Sequence, residues 1–381
     1  SDDNSQYIKF VDPPTITFHD LYGYNPDEPT SVTNWNTCAI VNNVAFLGDY
    51  KQDGKLYPDK VIHSLPNIVD IFPKRYTLEG ISNDGDRIIK LASTMDYLLV
   101  FKRNRLIIWH ISSQATSGSD SVGSMRIMAE YNHYGVNYQS QVCTTDLGVV
   151  FVNSLGCFVF DGKNVSNLIE GSIKESTWSS FVTTTSVASV GYSPEDRKII
   201  VVGSTKQNSE GDAYIYHIPT KSWVFADSLF TDVTNTSGHE RSNFINLNNK
   251  LVSYINLTSV SDSKFEAYTD TAADQTIEIL TKDLDFGDPA QRKKIYKMYV
   301  TYKSGSTVPT VTYGVNGGAA TTAVASGSFS SNQSNYAQAV FTFDSDANEC
   351  YSFQIKIAGN SISAAFEIND ISIVYRLKAL K

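Results

Sequence analysis

An apolar run that recurs about every 50 residues, few helical segments and an abundance of strand-favouring side chains predict an all-β chain. The expected architecture is a β-propeller of roughly 50-residue blades over residues 1–272, followed by a β-sandwich over residues 273–381. The chain has 381 residues, with 22 Tyr and 19 Phe, while charged residues make up only 19%. Aromatic and β-branched side chains suit a pleated, half-buried surface. At about 150 residues per domain, this length suits two domains or one large repetitive one.

The repeat unit is a hairpin. Val44-Ala45-Phe46-Leu47 leads through Asp53-Gly54 to Val61-Ile62-His63. Leu98-Leu99-Val100-Phe101 turns at Arg103-Asn104-Arg105 into Leu106-Ile107-Ile108-Trp109. Val149-Val150-Phe151-Val152 turns at Asn153-Ser154-Leu155-Gly156 into Phe158-Val159-Phe160. Ile199-Ile200-Val201-Val202 pairs with Tyr214-Ile215-Tyr216, and Leu251 to Ile255 pairs with Phe265 to Tyr268. The equivalent centres Phe46, Val100, Phe151, Val201 and Val252 are spaced 54, 51, 50 and 51 residues apart. That is the spacing of kelch-type propeller blades, each a small antiparallel sheet that buries its faces only against neighbouring blades. Pro219-Thr220-Lys221 reads as the turn of an outer hairpin, and the alternating segment Tyr7 to Phe18 as a strand that closes the ring. The spacing of Leu168, Ile169, Ile173 and Trp178 predicts one short helix within Val165 to Ser180, weakened by Gly171.

The texture changes after about residue 273. Thr276 to Phe286, Lys294 to Tyr302, Ala339 to Phe343, Tyr351 to Ile357 and Phe366 to Tyr375 read as longer strands. A flexible Gly/Ala/Ser/Thr-rich stretch, Gly314 to Ser331, separates two of them. Clean alternation over about 100 residues suits a sandwich. The alternative is a single seven-bladed propeller, since Val300 and Ile355 continue the period.

The chemistry-bearing residues form no catalytic pattern. The formal net charge of −9 argues against a general binder of nucleic acid or anionic membrane, and no apolar stretch reaches the length of a membrane helix. Cys38, Cys143, Cys157 and Cys350 form no CxxC pair and read as free thiols; a Cys143–Cys157 contact across a hairpin is the alternative. The six histidines, His19, His63, His110, His133, His217 and His239, lack zinc-ligand spacing, so no metal or cofactor is expected. Ser82-Asn83-Asp84-Gly85 matches half of a sialidase-type Asp box and reads as a turn. Glu130, Glu170, Glu195 and Glu266 offer acids for glycoside cleavage, but no pair stands out. Four tripeptides fit the glycosylation sequon: Asn164-Val165-Ser166, Asn235-Thr236-Ser237, Asn256-Leu257-Thr258 and Asn332-Gln333-Ser334. A chain this rich in Asn, Ser and Thr produces such matches by chance. Two basic clusters remain: Lys102, Arg103 and Arg105 at a hairpin turn, and Arg292, Lys293 and Lys294 at the start of a strand. They are candidates for charge-complementary subunit contacts.

Several stretches carry a resemblance. They are Phe46-Leu47-Gly48 with Leu56 to Ser64 and Asp70-Ile71-Phe72-Pro73; Asp96 to Lys102; Gly148 to Phe151 with Gly156 to Gly162; Thr281 to Pro289 with Lys294 to Val300; and Phe366 to Arg376. In combined order they resemble the β-propeller virion proteins at the tail and portal vertex of short-tailed bacteriophages, namely tail nozzle and packaged-DNA stabilisation proteins. The resemblance covers most of residues 40–376. It implies a non-enzymatic virion structural protein located in the phage tail. It further implies a homo-oligomeric ring, of six copies in the proteins it resembles, that retains packaged DNA and conducts it during ejection. Implied partners are portal or adaptor proteins, tail fibres and double-stranded DNA in transit without specific binding. Nozzle proteins are often much longer, and no residue role carries over, because the shared stretches are strands and turns. The runner-up is a receptor- or carbohydrate-binding tail protein, with Tyr131 to Tyr138 and Ser222-Trp223 as stacking loops. A propeller glycosidase is a third class.

Overall fold

A computed structural model describes residues 7–8, 32–52, 54–69, 71–73, 76–78, 84–112, 125–185, 187–203, 212–226, 229, 239–241, 244–257, 264–268, 275–363 and 365–379. The chain divides into two compact units, Ser1–Tyr268 and Thr269–Lys381. Both are built from antiparallel sheets.

The first unit holds five sheets in chain order. The first joins β1 (Tyr7–Ile8), β2 (Val32–Thr33), β3 (Thr37–Val41), β4 (Val44–Gln52) and β5 (Lys55–His63) around a central β4. The second is a four-stranded meander of β6 (Ile88–Thr94), β7 (Tyr97–Lys102), β8 (Arg105–Ile111) and β9 (Met125–Asn132). The third repeats it with β10 (Val142–Thr145), β11 (Gly148–Asn153), β12 (Gly156–Phe160) and β13 (Val165–Asn167). The fourth does so with β14 (Ser189–Ser193), β15 (Lys198–Val202), β16 (Ala213–His217) and β17 (Ser222–Ala226). The fifth groups β18 (His239–Arg241), β19 (Ile245–Leu247) and β21 (Lys264–Ala267) around β20 (Lys250–Leu257). These are propeller-type blades at the expected period.

The runs of consecutive apolar residues follow from this stacking. Side chains alternate across a strand, so a strand between two neighbours needs apolar residues on both faces. In β7, Leu98 and Val100 join Val44, Phe46 and Val61 of the preceding sheet, whereas Leu99 and Phe101 join Val149, Phe151, Phe158 and Phe160 of the following one. In β11, Val150 and Val152 turn the other way, onto Val190, Ile199 and Val201. In β15, Ile200 and Val202 continue the series onto Leu251 and Tyr268. Each such buried side chain contributes about 1.5–3 kcal/mol of transfer free energy.

Two local expectations change. The predicted helix shortens to α1 (Glu175–Phe181), because Val165–Asn167 is taken up as β13 on the edge of β12, and Gly171 sits at φ +73 in the connection. Strand pairing satisfies the backbone of that segment before a helix can start. Tyr7–Ile8 pairs with Val32–Thr33 on the first sheet; the rest of the expected closing strand, residues 9–18, lies outside the described residues.

The second unit is a sandwich of two sheets. One orders β22 (Gln275–Leu280), β27 (Phe353–Ile362), β24 (Thr310–Val315) and β25 (Thr322–Ala323). The other places β23 (Lys293–Ser304) between β26 (Gln333–Thr342) and β28 (Glu367–Leu377). Val300 and Ile355 belong to opposite sheets and meet in one core with Met298, Tyr313, Phe341 and Phe353, which rules out continued blades. The stretch read as a flexible connection contributes to that core. Phe329 is buried there, with its ring 4.7 Å from Tyr302 and 5.1 Å from Phe341. Its immediate neighbours Ser328 and Ser330 are small and polar, so only the fold reveals that this ring turns inward, onto the core that Val315 and Val324 also pack against.

Candidate functional site

The first basic cluster sits on the β7–β8 turn. Lys102 ends β7 fully buried, and its Nζ donates to Asp84 Oδ2 at 2.6 Å. Arg105 pairs with the same carboxylate and reaches Glu130 at 3.6 Å. Asp86 accepts the Arg103 and Asn104 backbone N–H groups at 3.1 and 3.0 Å. Asp84, from the partial Asp box, is the hub that pairs two of the three bases, Lys102 and Arg105. Its Oδ1 also accepts the Asp86 N–H at 3.0 Å, while Ser82 and Asn83 of that tetrapeptide lie outside the described residues. Burial lowers the Lys102 ammonium, and the carboxylates Asp86, Asp59 and Glu130 oppose that shift. Of this cluster, Arg103 has an exposed side chain.

The second cluster opens β23. Lys293 is fully buried and its Nζ donates to three carbonyls, those of Asp288, Gln291 (2.8 Å) and Tyr351 (2.8 Å). This ammonium closes the 288–291 turn against the strand. Arg292 is exposed, bonds Tyr351 Oη at 3.2 Å and Glu349 Oε2 at 3.1 Å, and lies over the Tyr351 ring. Lys294 lies 5.0 Å from the Tyr296 ring centroid. The structure therefore separates the six sequence candidates. Lys102 and Lys293 point inward as braces, and Arg103 and Arg292 are exposed.

The remaining candidates are similarly distributed. His63 is buried, with Nδ1 3.0 Å from the Ser64 carbonyl and its ring stacked on Tyr76. Burial holds its imidazole below the ordinary value of 6.5, against the opposing pull of that carbonyl. His217 Nδ1 lies 2.7 Å from Thr220 Oγ1 within its own hairpin. Cys143 and Cys157 are free thiols, and burial pushes Cys143 up to about 11. The aromatic loops of the runner-up reading pack inward. Tyr134 lies 4.6 Å from Phe158, and Trp223 Nε1 donates to the Leu168 carbonyl at 2.8 Å. Among the described residues, no group of three His, Cys, Asp or Glu side chains is placed to hold a metal ion.

One surface cavity, lined mainly by polar residues through both their polar and their apolar atoms, is not marked by any sequence motif. It lies where the end of β23 meets the beginnings of β26 and β28. Its volume is about 370 Å³, and Lys303, Ser304, Asn332, Gln333, Ser334, Ala365 and Glu367 line it. Lys303 Nζ bonds Glu367 Oε2 at 3.0 Å and lies 4.5 Å from the Tyr336 ring centroid, while Tyr336 Oη donates to the same carboxylate oxygen at 3.1 Å. This pairing raises Lys303 and lowers Glu367. Its one trace in the sequence is Asn332-Gln333-Ser334, which reads there as a chance sequon.

No family model and no curated protein matches this chain. Among solved structures it is similar to a fructofuranosidase from Schwanniomyces occidentalis, complexed with fructose, at 8% identity. That match covers 88% of this chain and 78% of the other, with a TM-score of 0.18, a superposition too slight to bear on fold or activity.

Proposed function

We propose that this chain is a structural protein of a phage virion tail, whose copies form a ring that retains packaged DNA and conducts it during ejection. One observation carries the reading. Most of the stretches that resemble tail nozzle and packaged-DNA stabilisation proteins fall, in order, on strands of the blades and the sandwich, whereas Thr281 to Pro289 and Ile71 to Pro73 lie in connections. Phe46 to Gly48 lies in β4, Asp96 to Lys102 spans β7, Gly148 to Phe151 lies in β11, Lys294 to Val300 lies in β23 and Phe366 to Arg376 spans β28. The use of charge is consistent with a scaffold, since Lys102, Arg105 and Lys293 hold turns and strands of their own chain. Portal or adaptor proteins above and tail fibres beside the ring are the partners this reading requires. Arg103 and Arg292 are its accessible cations for contact between copies.

Gold-tagged antibody against the chain, applied to purified virus particles, tests the reading directly. Label on the tail axis next to the head is the expected result. Label at fibre tips would transfer the chain to receptor binding, and particles without label would end the virion assignment.

A further inference from the structure

We propose that the cavity between β23, β26 and β28 is a binding site for a neutral sugar residue. Its volume falls within the range of about 300–1,000 Å³ typical of small-molecule sites. Its floor is fixed. Ser304 is buried, its hydroxyl donates to the Ser330 carbonyl at 2.6 Å, and it receives the Gln333 N–H at 3.2 Å. Asn332 is held at φ +56 and donates its N–H to the Gly305 carbonyl at 2.7 Å.

The chemistry of the lining selects the ligand class. Lys303 and Glu367 form a pair of zero net charge. A phosphate or carboxylate would meet Glu367, and a cation would meet Lys303, so neither simple ion gains. A ring with vicinal hydroxyls gains from both, because each hydroxyl donates and accepts, and bonds to charged partners are the stronger ones. The Asn332 side-chain amide and the Ser334 hydroxyl have no partner among the described residues, and Gln333 spends its Nε2 on the Ser331 carbonyl at 3.1 Å. These groups offer a mixed set of donors and acceptors at the rim. Tyr336, 51% exposed and outside the lining, braces the pair from beside the cavity, its ring under Lys303 Nζ and its hydroxyl on Glu367. This inference is independent of the ring reading, since the site is complete within one copy of the sandwich.

The test uses the full chain on an array of neutral oligosaccharides, with sialylated glycans and inorganic phosphate as anionic probes. Titration calorimetry follows on any glycan retained. The expected result is retention of at least one neutral glycan, weakened about tenfold or more by Ser334→Trp, which fills the cavity, and by Glu367→Gln, which breaks the pair. Both positions are surface-accessible, so thermal melting is expected to match the parent chain. If one variant misfolds, the other decides. Hydrogen exchange adds a second readout: the bound glycan is expected to slow exchange in residues 332–334. Retention of no glycan, retention of anionic probes alone, or binding indifferent to both substitutions would overturn the proposal.

Discussion

At the scale of single residues, the molecule treats buried charge as an internal fastener. Lys102 is fully enclosed and its Nζ meets Asp84, so removal of the acid takes a hydrogen-bonded carboxylate from a buried cation. Removing one member of such a pair costs about 3 kcal/mol when the other stays buried and charged, whereas loss of Lys102 leaves Asp84 still paired with Arg105. Asp84→Asn is therefore expected to lose about 3 kcal/mol in urea unfolding, and Lys102→Met less than about 1 kcal/mol. Equal losses would refute the fastener role. His63 adds a pH dependence. Its folded imidazole titrates below 6.5, so the unfolded chain takes up a proton first, and stability falls as pH drops through about 6.5. Urea midpoints at pH 7.5 and 5.5 are expected to differ less in His63→Leu than in the parent chain. Lys102 and His63 look alike in sequence to any surface Lys or His, because their burial is set by strands that pair from elsewhere.

At the scale of elements, the seven-residue α1 is too short to be stable alone. It is held by Trp178, its one buried residue, which belongs to one core cluster with Val150, Val152 and Val190, lies 5.8 Å from the Trp223 ring and donates its indole N–H to the Asn153 carbonyl at 2.9 Å. Truncation of a buried Trp typically costs about 3–5 kcal/mol, and Trp178→Ala is expected to fall in that range by chemical denaturation. A loss below about 1 kcal/mol would mean that the third and fourth sheets pack without the helix. The helix is legible in the sequence only as an apolar face within Val165 to Ser180, and the structure confines it to the last turns of that range. Helix and edge strand compete for Val165–Asn167, and a pattern of side chains does not say which backbone partner lies nearby.

At the scale of the whole molecule, acidic residues exceed basic ones 40 to 31, and several of the bases are tied to acids within the chain. A conduit that lets DNA slide gains nothing from gripping phosphate. Affinity for DNA from Lys and Arg contacts rises steeply as salt falls. The full chain is accordingly expected not to shift double-stranded DNA in a mobility assay even at about 50 mM salt. Tight, salt-sensitive binding would argue for a cationic surface and against passive conduction.

Residue patterns alone determined the all-β class, the blade period and the change of texture near residue 273. Each depends on local alternation and on turns, which are written in adjacent residues. The continuous apolar runs of β7, β11 and β15 even announced strands buried on both faces. Only the tertiary structure decided which cations point inward, that Phe329 leaves a low-complexity stretch to fill the sandwich core, and that Asn332, Glu367 and Lys303 share a cavity. Those facts depend on residues up to 64 positions apart, brought together by strand register and packing. Spacing along the chain carries no record of such distances.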